Sequence, residues 1–181
     1  NIFATGRFSG TLILGSFTLT ASGTYDSYLV RLDPSTGAYL WAKRLGGSGS
    51  DGGLAITNDG AGSIYSCGYF QGTATFGTST LTPSGSNLNM YLLRTDANSG
   101  NTVWARGFGN AGYTYATALA CDLVGDIYLT GHYEAQLVLG TNTLSSVQYE
   151  DVFVSKHDAV TGNAVWAVSM GGSGTDNGNG I

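Results

Sequence analysis

Three segments of this 181-residue chain align from end to end, and that internal repetition constrains the fold more than any other feature of the sequence. Asn1-Ile-Phe-Ala-Thr-Gly6 matches Ser63-Ile-Tyr-Ser-Cys-Gly68 and Asp126-Ile-Tyr-Leu-Thr-Gly131. LGSFTLT from Leu14 matches FGTSTLT from Phe76 and LGTNTLS from Leu139. DSYLVRLD from Asp26 matches NMYLLRTD from Asn89 and DVFVSKHD from Asp151. The tryptophans Trp41, Trp104 and Trp166 lie 63 and 62 residues apart, each in a TGAYLWA-like stretch. The chain therefore reads as a single repeat array, with units at approximately 1–62, 63–125 and 126–181.

Each unit is written in β-strand language. Glycine contributes 29 residues and proline only 2. Beside abundant Thr, Ser, Tyr and Val, that balance predicts short strands joined by tight turns. Apolar runs of strand length are bounded by Gly, Asn, Asp and Ser, and no window of twelve or more residues carries a helical period. The pattern predicts four main strands per unit, for example Ala116–Asp122, Ile127–Tyr133, Val152–Asp158 and Ala164–Ser169. A short extra hairpin falls around the FGTSTLT segment. Stacked β-solenoids use shorter coils, so unit length and strand count favour an all-β array of β-propeller-type repeats, with four-stranded blades.

Charge narrows the range of partners. The net charge is −5, only 10% of residues are charged, and there is no basic run. Binding to nucleic-acid phosphates needs concentrated positive charge, so nucleic acid is an unsuitable partner. No apolar run approaches the roughly 20 residues of a membrane-spanning helix, so membrane insertion is not expected. Asn1 to Gly10 lack the basic and apolar regions of a signal peptide, but the chain begins inside a repeat and its true start is open.

The run Leu45-Gly-Gly-Ser-Gly-Ser-Asp51, then Gly53-Leu-Ala-Ile56, Asn58-Asp-Gly-Ala-Gly-Ser-Ile-Tyr65 and Gly68, resembles the SBBP-type β-propeller repeat. That family reads approximately as GGxGxD, a GIAVD strand, a GNVYVTG strand, then FVAKLDxxG and a Trp. The resemblance covers nearly the whole chain. It implies a scaffold or recognition module that is secreted or displayed on a bacterial surface, with no defining catalytic residues or cofactor. Two features depart from the pattern. The segment Gly72 to Pro83 lengthens the unit, and the second unit has Gly109-Asn-Ala-Gly-Tyr-Thr114 in place of GGSGSD.

The termini suggest a divided blade. Asn177-Gly-Asn-Gly-Ile181 aligns with Gly52–Ile56, the strand that precedes the one opening this chain. One blade is therefore expected to be split between the two ends. Either the chain is part of a longer array, or Asn179 and Ile181 of one copy pair with Ile2, Phe3 and Ala4 of the next. Such strand addition builds a ring if it closes and a filament if it does not. Self-association or other surface proteins are the expected partners, with glycans as the alternative.

Catalytic and metal signatures are sparse. Asp33, Asp96 and Asp158 each precede a turn ending at Gly37, Gly100 or Gly162, and turn shaping explains them better than calcium binding, which wants several carboxylates per loop. Asp51 and Asp176 sit in glycine-rich loops and are candidates for ligand contact, although capping a loop between blades is the plainer reading. Tyr113 and Tyr115 do not repeat with the unit and are the aromatic candidates for a ligand surface. Neither His132 nor His157 has a partner at metal spacing. No nucleophile elbow or phosphate loop occurs, and Glu134 with Glu150 is the remaining acid pair. Cys67 and Cys121 fall on strands of different blades and read as free thiols. The expectation is an interaction protein with no catalytic, cofactor or metal residues, and not an enzyme.

Overall fold

The computed structural model describes residues 1–85, 87–110, 112–122 and 124–181. The regular elements are all strands: β1 (Ile2–Phe8), β2 (Thr11–Leu14), β3 (Phe17–Thr20), β4 (Asp26–Leu32), β5 (Tyr39–Gly47), β6 (Gly52–Asn58), β7 (Ser63–Phe70), β8 (Ala74–Phe76), β9 (Ser79–Leu81), β10 (Asn89–Asp96), β11 (Thr102–Phe108), β12 (Thr114–Cys121), β13 (Ile127–Leu139), β14 (Asn142–His157) and β15 (Ala164–Met170). No helix occurs among the described residues.

Three antiparallel sheets carry these strands. The first is ordered β1-β4-β5-β8-β9, the second β11-β10-β7-β6 and the third β12-β13-β14-β15, with β2 and β3 as a separate hairpin. The register repeats with the sequence. Gly6 faces Tyr28, Gly68 faces Tyr91 and Gly131 faces Phe153. The extra hairpin takes two forms. In the first unit it is the separate hairpin β2–β3, and in the second it is β8–β9, joined to the edge of the first sheet beside β5. In the third it fuses with its neighbours, so β13 and β14 run to 13 and 16 residues. The join is a bulge between Glu134 and Gln136, where Ala135 takes φ 61°.

Packing explains why the middle unit is the most apolar. Side chains alternate faces along a strand. Ile64, Tyr91 and Leu93 of the second sheet join Leu29, Trp41 and Leu45 of the first in one core. Their neighbours Tyr65, Met90 and Leu92 turn the other way and join Leu119, Ile127, Leu129 and Phe153 of the third. With both faces covered, β7 is buried at every position, and a short continuous apolar run replaces strict alternation. β15 covers only one face and is mostly exposed.

The expected sharing of one blade between the termini does not form within this chain. β1 pairs with β4, and no other strand borders it among the described residues. Asn177–Ile181 is not in a strand. Gly178 lies instead against the third sheet, its carbonyl accepting the Thr117 hydroxyl. The second sheet stands between the two ends, so one chain does not bring them together.

Candidate functional site

The most regular feature above the strands is the contact between successive sheets. Trp41 on β5 donates its indole N–H to the Ala97 carbonyl of the second sheet at 3.3 Å. Trp104 on β11 donates to the Ala159 carbonyl of the third, also at 3.3 Å. An arginine joins each acceptor: Arg31 reaches Ala97 O at 3.3 Å and Arg94 reaches Ala159 O at 3.2 Å. Each ring lies against a turn glycine. A Cβ on Gly100 would come within 2.9 Å of the Trp41 ring, and one on Gly162 within 2.7 Å of Trp104. Both glycines hold positive φ, 69° and 73°, so the absence of a side chain serves the turn and the seat together.

The turns that receive the tryptophans are built by the predicted aspartates. Asp33 Oδ1 accepts N–H bonds from Ser35 and Thr36, Asp96 Oδ1 from Asn98 and Ser99, and Asp158 Oδ1 from Thr161. These bonds hold all three carboxyls below the usual carboxylate range.

Trp166 occupies the same position on the third sheet. It is 38% exposed, against 7% for both Trp41 and Trp104. The Arg31 and Arg94 position is Lys156 there, and it pairs with Asp126 at 2.6 Å. On the first sheet the glycine equivalent to Gly100 and Gly162 is Gly37. A Cβ there would meet nothing within 4 Å.

The sequence candidates fall into separate places. Asp51 is fully buried and accepts N–H bonds from Gly47 at 2.7 Å and Gln71 at 3.2 Å. Burial pushes its carboxyl up to about 6 despite those bonds, with nearby Asp26 adding to the rise. Asp176 accepts from Gly172 in the same manner, at 3.2 Å. Tyr113 is exposed. Tyr115 packs edge-on against Tyr69, with ring centroids 5.4 Å apart, and lies 5.0 Å from His132. Arg7 completes that row, donating to the Tyr69 hydroxyl at 2.7 Å and lying over the Tyr25 ring at 4.8 Å. The row Tyr25, Arg7, Tyr69, Tyr115 and His132 thus crosses all three sheets. Burial lowers the His132 pKa, and its Nδ1 is buried with no hydrogen-bond partner.

Of the expected assembly strands, Ile2 is exposed and Phe3 packs on Trp41, centroids 6.1 Å apart. Asn179 and Ile181 are both exposed. Glu134 and Glu150 stand directly opposite across β13 and β14, beside a shallow cavity of about 190 Å³. His157 is buried between Ser155 Oγ and the Gly162 carbonyl, with its pKa lowered to about 4 by burial. Cys67 and Cys121 are free, and burial raises both thiols. No group of three or more His, Cys, Asp or Glu side chains is gathered for a metal among the described residues.

Sequence reasoning overlooked two parts of the sheet contact. One is the arginine at Arg31 and Arg94, which recurs at one position of the repeat and so left a signal. The other is the second duty of Gly100 and Gly162, which read only as turn glycines.

Comparison with known proteins gives limited kinship. No family model matches the chain. It is 30% identical over 131 residues to an uncharacterized WD repeat-containing protein of Acanthamoeba polyphaga mimivirus. The match covers 69% of this chain and 9% of that protein, so the chain spans about a tenth of the length of the relative it matches. WD repeats build propeller blades, and the likeness points to a propeller-type repeat protein.

Proposed function

We propose that this chain is a non-catalytic interaction scaffold of SBBP-like β-propeller repeats, acting outside a bacterial cell, whose copies associate head to tail. The observation that carries this reading is the tryptophan contact between sheets. It occurs twice within the chain, joining the first sheet to the second and the second to the third. A head-to-tail contact of this type propagates, because each added copy presents the same two faces again. The likeness to a WD repeat-containing protein supports the propeller-type reading of the repeats.

Multi-angle light scattering over a concentration series tests it. The expected result is mass rising in integer multiples of the chain, without added small molecules. A mass that stays at one chain from dilute to millimolar solution refutes head-to-tail association.

A second reading, glycan binding, is favoured by the row Tyr25, Arg7, Tyr69, Tyr115 and His132. Aromatic faces with a flanking cation and imidazole suit sugar stacking and hydroxyl recognition. Here a monomer would bind an oligosaccharide in calorimetry, and Tyr115→Ala would abolish the heat.

A further inference from the structure

The two inner contacts differ at the ends of their outer strands. At the first, β8 leaves the second sheet and extends the first, with Thr75 opposite Gly46 and Ala74 opposite Gly47. The fit is close. A Cβ on Gly47 would collide with the Thr73 carbonyl, and one on Gly77, at the hairpin turn, with Thr102. β5 accordingly runs on to Gly47.

At the second contact the repeat puts Gly109 and Asn110 in the places of Gly46 and Gly47, and Val138 and Leu137 in those of Thr75 and Ala74. The corresponding pairing is not made among the described residues, and β11 stops at Phe108. The bulge at Ala135 keeps the hairpin in the third sheet instead, with Leu137 opposite Leu144 and Val138 opposite Thr143. A Cβ on Gly140, the counterpart of Gly77, would meet nothing within 4 Å. Leu137 and Leu139 still fill the core, as Ala74 and Phe76 do, so the core is complete without that pairing. What remains is a cavity of about 580 Å³ between the end of β11 and the hairpin, a volume typical of ligand sites.

Phe70 and Phe108 give the cavity an apolar wall, Val138 lines its hairpin side, and Ser84, Asn89 and Asn110 supply hydroxyl and amide groups. No Asp, Glu, Lys or Arg lines it among the described residues. Gly109 holds φ 150°, as Gly46 holds 137°, so the strand end keeps the backbone shape that receives β8 at the first contact. The Gly109 carbonyl accepts the Ser84 hydroxyl at 3.2 Å, and a carbonyl has a second lone pair for a further N–H. Asn110 carries a side chain where Gly47 has none, and its amide donates to Gln136 Oε1 across the cavity mouth.

We propose that this cavity docks an extended, uncharged strand of a partner protein, added antiparallel to the end of β11 at Gly109 and Asn110 as β8 adds to β5. The first contact shows the chemistry of the occupant: residues 72–82 carry no charge, and buried Ala74 and Phe76 flank exposed Thr75. Main-chain bonds to the strand end supply affinity, and the apolar wall selects the side chain set against it. This docking site rests on the interaction-scaffold reading and needs no association between copies.

Nuclear magnetic resonance on the whole 15N-labelled chain tests it, with a capped peptide of residues 72–82 as the probe strand. The amides of Phe108, Gly109, Asn110 and Val138 are expected to shift and to saturate below millimolar peptide. Val138→Trp fills the cavity and is expected to weaken binding at least tenfold with an unchanged circular dichroism spectrum, whereas Ile13→Ser, at an exposed position on β2, leaves binding unchanged. A probe with aspartate at the places of Ala74 and Phe76 is expected to bind at least tenfold more weakly. No shift up to millimolar peptide overturns the site, as does equal binding by Val138→Trp. Shifts confined to Gly46 and Gly47 would mean that the probe displaces β8, and would also overturn it. If maltose shifts these amides and the peptide does not, the cavity is a sugar site and strand docking is wrong. All of these outcomes are separate from the mass measured by light scattering, which alone decides head-to-tail association.

Discussion

Trp104 and Trp166 occupy the same place in successive units and meet opposite surroundings. Trp104 is buried between two sheets, bonded to Ala159 and pressed on Gly162, while Trp166 faces outward beside the Tyr128 ring, centroids 6.3 Å apart. The flanking residues follow suit. Arg106 packs beside Gly162, whereas Val168 and Met170 on β15 are exposed. Repeat position thus sets which residue is present, and the neighbouring sheet sets what that residue contributes. In this chain the middle sheet is covered on both sides and its tryptophan is buried, whereas the tryptophan on the third sheet stays partly exposed.

The contrast is sharpest on truncation. Trp104→Ala opens a cavity between the second and third sheets and is expected to cost about 3–5 kcal/mol in urea denaturation. The same change at Trp166, measured at concentrations where the chain is monomeric, is expected to cost less than about 1 kcal/mol. Equal losses would erase the distinction between inner and outer tryptophans.

The second effect depends on pH and sets the two inner contacts against each other. His157, at the second contact, has a folded pKa near 4, below its ordinary 6.5. Its contribution is present above pH 6.5 and is lost as pH falls through 4, by up to about 3.5 kcal/mol at about 1.4 kcal/mol per unit. Asp51, at the first contact, has a folded pKa near 6, above its ordinary 3.8. Its contribution is fully present below pH 3.8 and is lost as pH rises through 6. Between pH 4 and 6 the two oppose, so wild-type stability is expected to change little. His157→Thr, which installs the residue found at Thr95, is expected to show stability rising as pH falls across that window. A thermal-melt series in which the variant stays as flat as wild type would reject the pairing.

The smaller expected difference lies in the cations. Arg94 bonds the Ala159 carbonyl across the inner contact and Ser63 Oγ within its own sheet. Arg94→Ala is expected to cost about 1–2 kcal/mol. Lys156→Ala breaks only a partly exposed ion pair with Asp126, and about 0–1 kcal/mol is expected. Double-mutant cycles with Trp104 would show coupling for Arg94, and cycles with Trp166 would show none for Lys156.

Strand positions were well marked in the sequence. The expected Ile127–Tyr133 and Ala164–Ser169 lie within β13 and β15. β13 runs on to Leu139 because the bulge at Ala135 lets the extra hairpin continue both strands, and no local residue pattern announced that fusion. The aspartates of the three turns were legible because an Asx turn is a local bond, made within three residues. The row from Tyr25 to His132 was not. Arg7, Tyr69 and His132 are unlike residues at one repeat position, and only sheet stacking brings them into line with Tyr115.

The sequence by itself determined the repeat, the strand content and the turns, since all three depend on residues near one another along the chain: the period-two alternation, the glycines at positive φ and the aspartate bonds to adjacent N–H groups. Only the tertiary structure decided that the sheets stack on tryptophans seated over turn glycines, that Asp51 is buried, and that the two termini stay apart. Those outcomes depend on which surfaces meet at long separations, 20 residues in the bond from Gln71 to Asp51 and 55 or more in the bonds from Trp41 to Ala97 and from Trp104 to Ala159. Local preference carries no information about such distances.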